Sequence, residues 1–272
     1  MGQQTARPPA VAGLFYPATR ADVGAAARSL LDLAARTLAG LTPAPHPKAL
    51  VVPHAGWRYS GDLAALGWQT LAPRRATISR VVILGPTHRV AIRGVALPGA
   101  DLFATPLGAL RVPTAEALEL TAALPTPVTV DPATHAEEHA VEVQVPFVQE
   151  VLGEVELVPL NAGQIDESDL ADVIEALWGG PETVVVVSSD LSHYLPQSAA
   201  RALDDDTLRR VLARESVDHE RACGATPLDG LLEVCRRRDL HPRLLGTHTS
   251  GDVAGDRDRV VGYAALSIDE EA

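Results

Sequence analysis

Short runs of aliphatic, mostly β-branched residues recur along the chain at Ala49–Val52, Val81–Leu84, Gly94–Leu97, Val155–Leu160, Thr183–Val187 and Val260–Ile268. Most of them are continuously apolar rather than alternating, which is the pattern of strands covered on both faces. Segments with helical spacing lie between them, at 61–72, 114–123, 139–152, 168–178, 204–214 and 227–238. Ahead of them all, Thr19 to Gly40 reads as an amphipathic helix. Thr19 and Asp22 make a capping-box-like start, and Val23, Ala27, Leu30, Leu31, Ala34 and Leu38 form its apolar stripe. Strands alternating with helices predict an α/β fold with a mainly parallel or mixed central sheet and helices on both faces. Antiparallel additions are expected around 94–112 and at the C-terminal strand. Pro and Gly are scattered as turn signals with no linker, so residues 1–272 read as a single domain.

With 46% hydrophobic and 21% charged residues, the chain has enough apolar surface for a core, which excludes intrinsic disorder. A net charge of −12 opposes nucleic acid and anionic lipid as partners. The cysteines, Cys223 and Cys235, are too few for a disulfide framework. No basic-then-apolar leader opens the sequence, and no run approaches the ~18 apolar residues of a membrane span. The expected setting is the cytoplasm.

The strongest strands each run into a polar turn carrying a histidine. LVVPHAG supplies His54, VVILGPTH supplies His88, and VVVVSSDLSH supplies Asp190 and His193. In a parallel sheet the ligand crevice lies beyond the carboxyl ends of the strands, so these residues are expected to converge. Two neutral imidazoles with an anionic third ligand leave positions open for substrate, a catalytic metal geometry. Asp190, Cys223, Glu138 and Glu142 are the candidates for that third ligand. Thr226 and Pro227 look like the N-cap and first position of a helix, whose partial positive charge would favour a thiolate at Cys223. Cys235, at helical spacing from Leu231 and Leu232, reads as a core residue. The segment HAEEHAVEVQVPFV adds Glu138, His139 and Glu142, either orienting metal-bound histidines or stabilising a helix start. His46, His135, His219, His241 and His248 read as structural or solvated. No phosphate-binding loop, dinucleotide fingerprint or serine-hydrolase elbow is present.

The segments RPPAVAGLFYP, VVPHAGWRYSG, VVILGPTHR, EEHAVEVQVPF, VVVVSSDLSHY, CGATP and SGDVAGDRDRVVGYAAL, in this order across nearly the whole chain, resemble the Memo family. Its prokaryotic members are called protein B of the AmmeMemoRadiSam system. The family is similar in fold to class III extradiol ring-cleaving dioxygenases, whose non-haem iron is held by two histidines and a carboxylate. The resemblance implies His54 and His88 as metal ligands, Cys223 as the third ligand, His193 as the acid/base residue, and Asp190 as an orienting group for His193 or a ligand. It implies iron(II), with copper or zinc as alternatives, because a thiolate softens the site. Trp57, Tyr59 and Arg89 are expected to line the pocket. Arg89 departs from the family, where a second histidine commonly follows the first. The substrate, a small molecule or a peptide, is left open, and a functional link to a radical-SAM protein is implied. Two rival readings remain: a catalytically retired scaffold that binds peptides or senses redox state, and a zinc hydrolase using the same ligands.

Overall fold

The computed structural model describes residues 4–41 and 46–270. In chain order the first elements are β1 (Ala6–Arg7), α1 (Arg20–Leu38), β2 (Pro47–Val52), α2 (Trp57–Gln69), β3 (Arg80–Pro86), β4 (Val95–Leu97), β5 (Leu102–Thr105) and β6 (Gly108–Arg111). Then follow α3 (Thr114–Thr121), β7 (Thr129–Val130), α4 (Pro132–Ala136), α5 (Val145–Val151), β8 (Glu156–Ala162), α6 (Glu167–Ala176) and β9 (Thr183–Ser188). The chain closes with β10 (His193–Leu195), α7 (Gln197–Leu212), α8 (Ala225–Arg238), β11 (Pro242–Thr249), α9 (Ser250–Ala254) and β12 (Val260–Asp269).

The strands form one mixed sheet in the order β1-β5-β6-β8-β3-β9-β2-β12-β10, with β11 also on β12 and β4 on β8. Its centre, β8-β3-β9-β2, is parallel, and these are the continuous aliphatic runs, buried nearly throughout. Antiparallel pairing enters where the sequence suggested it, at β4 and the β5–β6 hairpin and along β12. Pro159 lies within β8 and can donate nothing to a ladder. Beyond β8, β6 pairs only at Glu156 and β4 only at Asn161 and Ala162, so Pro159 falls in the gap between them. Helices α1, α2 and α5 pack together as one layer and α6 with α8 as another, with the sheet between. Among the described residues no helix is long and apolar enough to cross a membrane.

Helix α1 starts as its sequence suggests, with the Thr19 side chain accepting from the Asp22 amide. The expected helix over 139–152 is instead a loop, a 3-10 turn at Glu142–Gln144 and the short α5. Pro146 lacks an N–H and fits only a first turn, so α5 begins at Val145. The amides of His139 and Ala140 meanwhile donate to the Glu138 carboxylate, closing a polar turn in place of a helical one. Strand β11 has no continuous apolar run, and periodicity did not reveal it; it is recruited by pairing along β12 from Pro242 to Thr249.

Candidate metal centre

Strands β3, β9 and β2 are neighbours and parallel, so their carboxyl ends lie on one edge, with Val52 level with Ser188 and Leu84 level with Val187. Two residues past each end stand His88, Asp190 and His54, and the turn before α8 brings Cys223 to the same place. The ligand atoms of His54, His88 and Cys223 lie within 4.8 Å of one another.

His54 is buried, and its surroundings assign its tautomer. The Ser188 hydroxyl donates to the Ala140 carbonyl (2.7 Å) and accepts from the Gln144 amide (3.1 Å), so its remaining lone pair faces His54 Nδ1 at 3.1 Å. Nδ1 therefore carries the proton, and Nε2 presents its lone pair towards Cys223 Sγ, 3.1 Å away. Gln144 is itself fixed, accepting from Trp68 Nε1 and donating to the Pro53 carbonyl. Burial, followed by the neighbouring His139 and His88, pushes the His54 imidazole well below its ordinary pKa, so the ring stays neutral.

His88 is held by Glu138, which accepts from its backbone amide (2.7 Å) and faces its Nδ1 at 2.9 Å. Carboxylate contact at Nδ1 again leaves Nε2 for a ligand. Burial alone would raise the Glu138 carboxyl, but hydrogen bonds from His139 and His88 overcome it and hold Glu138 far below the carboxylate range. His139 stacks on His88 with ring centroids 4.6 Å apart, and also reaches Glu138. Glu138 and His139 thus stand directly against His88.

Asp190 is buried, and its Oδ1 accepts from the backbone amides of His54 (2.7 Å) and Ala55 (3.3 Å). It thus fixes the turn that carries His54, and among the described residues it makes no hydrogen bond to His193. Burial raises the Asp190 carboxyl despite those amides. Cys223 differs from the thiolate expected of it. Helix α8 begins at Ala225 with Gly224 as its N-cap, two residues earlier than the sequence suggested, and Thr226 turns towards His219. Burial, then the Asp190 charge, pushes the Cys223 thiol up, outweighing the Asp190 amide that points at its sulfur.

A cavity of about 800 Å³ opens over this cluster. His193 and Tyr59 line it as expected, together with Phe15, Tyr194, His219 and Tyr263, which the sequence did not single out. The His193 imidazole makes no hydrogen bond among the described residues, and Tyr194 beside it sits in the left-handed region at φ 61°. Three expectations fail here. Trp57 is buried away from the cavity, donating to the Val143 carbonyl and stacking on Phe147 at 4.4 Å. Glu142 is fully buried and clamps the N-terminal segment, pairing with Arg7 and accepting from the amides of Ala10 and Val11 and from the Tyr16 hydroxyl. Arg89 is outside the cavity lining and points to Glu137 on the surface. His219 departs in the other direction: read as structural or solvated, it stands in the cavity wall.

Comparison with known proteins finds a family model, Memo-like protein, matching residues 7–267. A MEMO1 family protein of Thermotoga maritima is 35% identical, over 96% of this chain and 99% of its own length. Similar proteins of the same family come from Methanopyrus kandleri, 33% identical over 96% and 98% of the two chains, and Archaeoglobus fulgidus, 34% identical with the same coverage. A solved structure of an uncharacterized protein from Escherichia coli K12 overlaps 83% of this chain at TM-score 0.49 and 14% identity, too remote to bear on the site.

Proposed function

The chain belongs to the Memo family, and on that footing we propose that it is a mononuclear metal protein, holding iron(II) through His54, His88 and Cys223 for dioxygenase-like chemistry. The observation that carries this reading is the donor set: two imidazoles, each with Nδ1 tied back to the protein, converging with one sulfur inside 4.8 Å. Donors at that spacing suit one ion bonded at roughly 2.0–2.3 Å to each. Iron(II) there would supply oxygen and one-electron chemistry, with positions left open for a chelating substrate.

The chain's own residues have separable parts in this. Ser188 and Glu138 hold the two imidazoles in the ligating tautomer, and Asp190 fixes the backbone under His54. The His193 imidazole, on the cavity wall with neither nitrogen hydrogen-bonded among the described residues, takes up or gives a proton at the substrate. Phe15, Tyr59 and Tyr263 provide aromatic walls that limit water around it.

The test is anaerobic purification followed by elemental analysis of wild type, His54→Ala, His88→Ala, Cys223→Ser and His193→Ala. Stoichiometric iron is expected in wild type and His193→Ala, with large losses in the other three. Equal metal content in all five rejects the ligand assignment, and zinc in place of iron rejects the oxidative chemistry while keeping the site.

A further inference from the structure

A second cavity, of about 530 Å³, lies beyond the ends of β3 and β8 on the other side of Cys223. Cys223 and His219 belong to the walls of both cavities, so the metal centre is bordered by two chambers. Their chemistry differs. The larger chamber holds the imidazoles and aromatic rings, whereas the polar side chains of the smaller are Thr87, Arg93, Gln164, His219 and Thr226, with Cys223 at the shared wall. No carboxylate lines it, in a chain with 35 Asp and Glu residues against 23 Lys and Arg.

Arg93 is the arginine of this chamber. Arg80, Arg221, Arg236 and Arg237 each engage two or more carboxylates. Arg93 makes no ion pair and no side-chain hydrogen bond among the described residues. Asp166 and Asp169, which border it on its far side, do not reach it, and Asp169 accepts from Thr126. Nor is Arg93 on a loose loop. The Gln164 amide donates to Ile92 (2.8 Å), the Gly94 amide to Gln164 (2.9 Å) and the Gly163 amide to Gly94 (3.0 Å), tying the Arg93 segment to the Gln164 turn. A Cβ on Gly163 would lie 2.2 Å from the Ile92 carbonyl oxygen, so the two backbones meet as closely as they can. The Gln164 side-chain amide likewise makes no hydrogen bond among the described residues. An arginine on a fixed backbone, its guanidinium in no ion pair among the described residues, shares the wall of this chamber with an amide and two hydroxyls and no carboxylate, the composition of a receptor for an oxyanion.

We infer that this smaller chamber binds the oxyanion end, carboxylate or phosphoryl, of the substrate whose reacting end lies across Cys223 in the imidazole chamber. The placement of the reacting end rests on the metal-centre reading above; the oxyanion chamber itself does not need a metal. Arg93 and Gln164 are then positioning and specificity residues, and the substrate is an elongated, anionic small molecule.

The test uses metal-free full-length protein titrated with inorganic phosphate and, separately, with succinate at constant ionic strength, followed by nitrogen-15 NMR. Saturable shifts are expected at the Arg93 side chain, the Gln164 amide and Thr226 with at least one of the two anions, and the tighter anion identifies the head group. Arg93→Ala should weaken binding by about tenfold or more, the usual loss of a charge-assisted contact, with Gln164→Ala weakened less and Arg93→Lys intermediate. Metal content of the same variants should equal wild type, which separates loss of the chamber from loss of the metal centre. Unchanged affinity in Arg93→Ala and Gln164→Ala, no saturation with either anion, or shifts centred on His54, His88 and His139 would overturn the inference.

Discussion

Ser188 directs its hydroxyl proton to Ala140, and that single choice leaves His54 as the donor at Nδ1 and the lone pair at Nε2. Removing the hydroxyl frees the ring to turn and to take the other tautomer without opening any part of the core. Ser188→Ala is therefore expected to keep the fold and to weaken metal affinity by roughly 10–100-fold, the usual effect of losing a ligand's supporting partner. Competition against a chromophoric chelator measures it, and an unchanged affinity would remove Ser188 from the account. His54 and His88 were legible in the sequence because each follows a continuous aliphatic strand, so strand position alone predicts where they meet. Cys223 was legible as a donor but not in its protonation, because burial, and after it the Asp190 charge from a separate strand end, raise the thiol only once the chain is folded. Ser188 and Gln144 were not legible, since their role exists only where β9, the 3-10 turn and Trp68 of α2 come together.

Glu142 shows what element packing does to a residue that looks functional on paper. It sits in the 3-10 turn before α5, and its carboxylate joins that turn to the N-terminal strand through Arg7 and to the Ala10–Tyr16 loop through two amides and a phenol. That loop carries Leu14 and Phe15 into the cavity wall. Glu142→Ala strands a buried guanidinium and several donors, and a loss of about 3–5 kcal/mol is expected from chemical denaturation; a loss below ~1 kcal/mol would mean the segment is held by other contacts. A second joint between elements is pH-sensitive. His248 of β11 faces Asp62 of α2 at 3.0 Å. Burial lowers the imidazole, but Asp62 more than offsets it and the net pKa is raised above 6.5, while the Asp62 carboxyl ends below 3.8 even though burial opposes that. The imidazolium's contribution to stability is thus complete below pH 6.5 and is lost as pH rises through the raised folded value. The carboxylate's contribution is present above 3.8 and is lost as pH falls through its lowered folded value. An NMR titration of His248 should show a midpoint above 6.5 that drops in Asp62→Asn; an unmoved midpoint contradicts the pairing.

Across the whole molecule, the centre exists because the order β8-β3-β9-β2 places three strand ends side by side, although His54, His88 and Asp190 are far apart in sequence. Continuous hydrophobicity made those parallel strands legible. Of the outer strands, β5 and β6 were anticipated only as antiparallel additions around 94–112, while β1, β7, β10 and β11 are short or mixed in polarity and only pairing with a neighbour defines them. The acids of α6 are ion-paired to the arginines at the end of α8, and no carboxylate lines the smaller chamber. The most direct test of the account is X-ray absorption spectroscopy at the metal edge of the iron-loaded protein. One sulfur scatterer with two imidazole shells is predicted in wild type, the sulfur disappearing in Cys223→Ser and one imidazole in His88→Ala. A spectrum with no sulfur, or one unaltered by both substitutions, would contradict it.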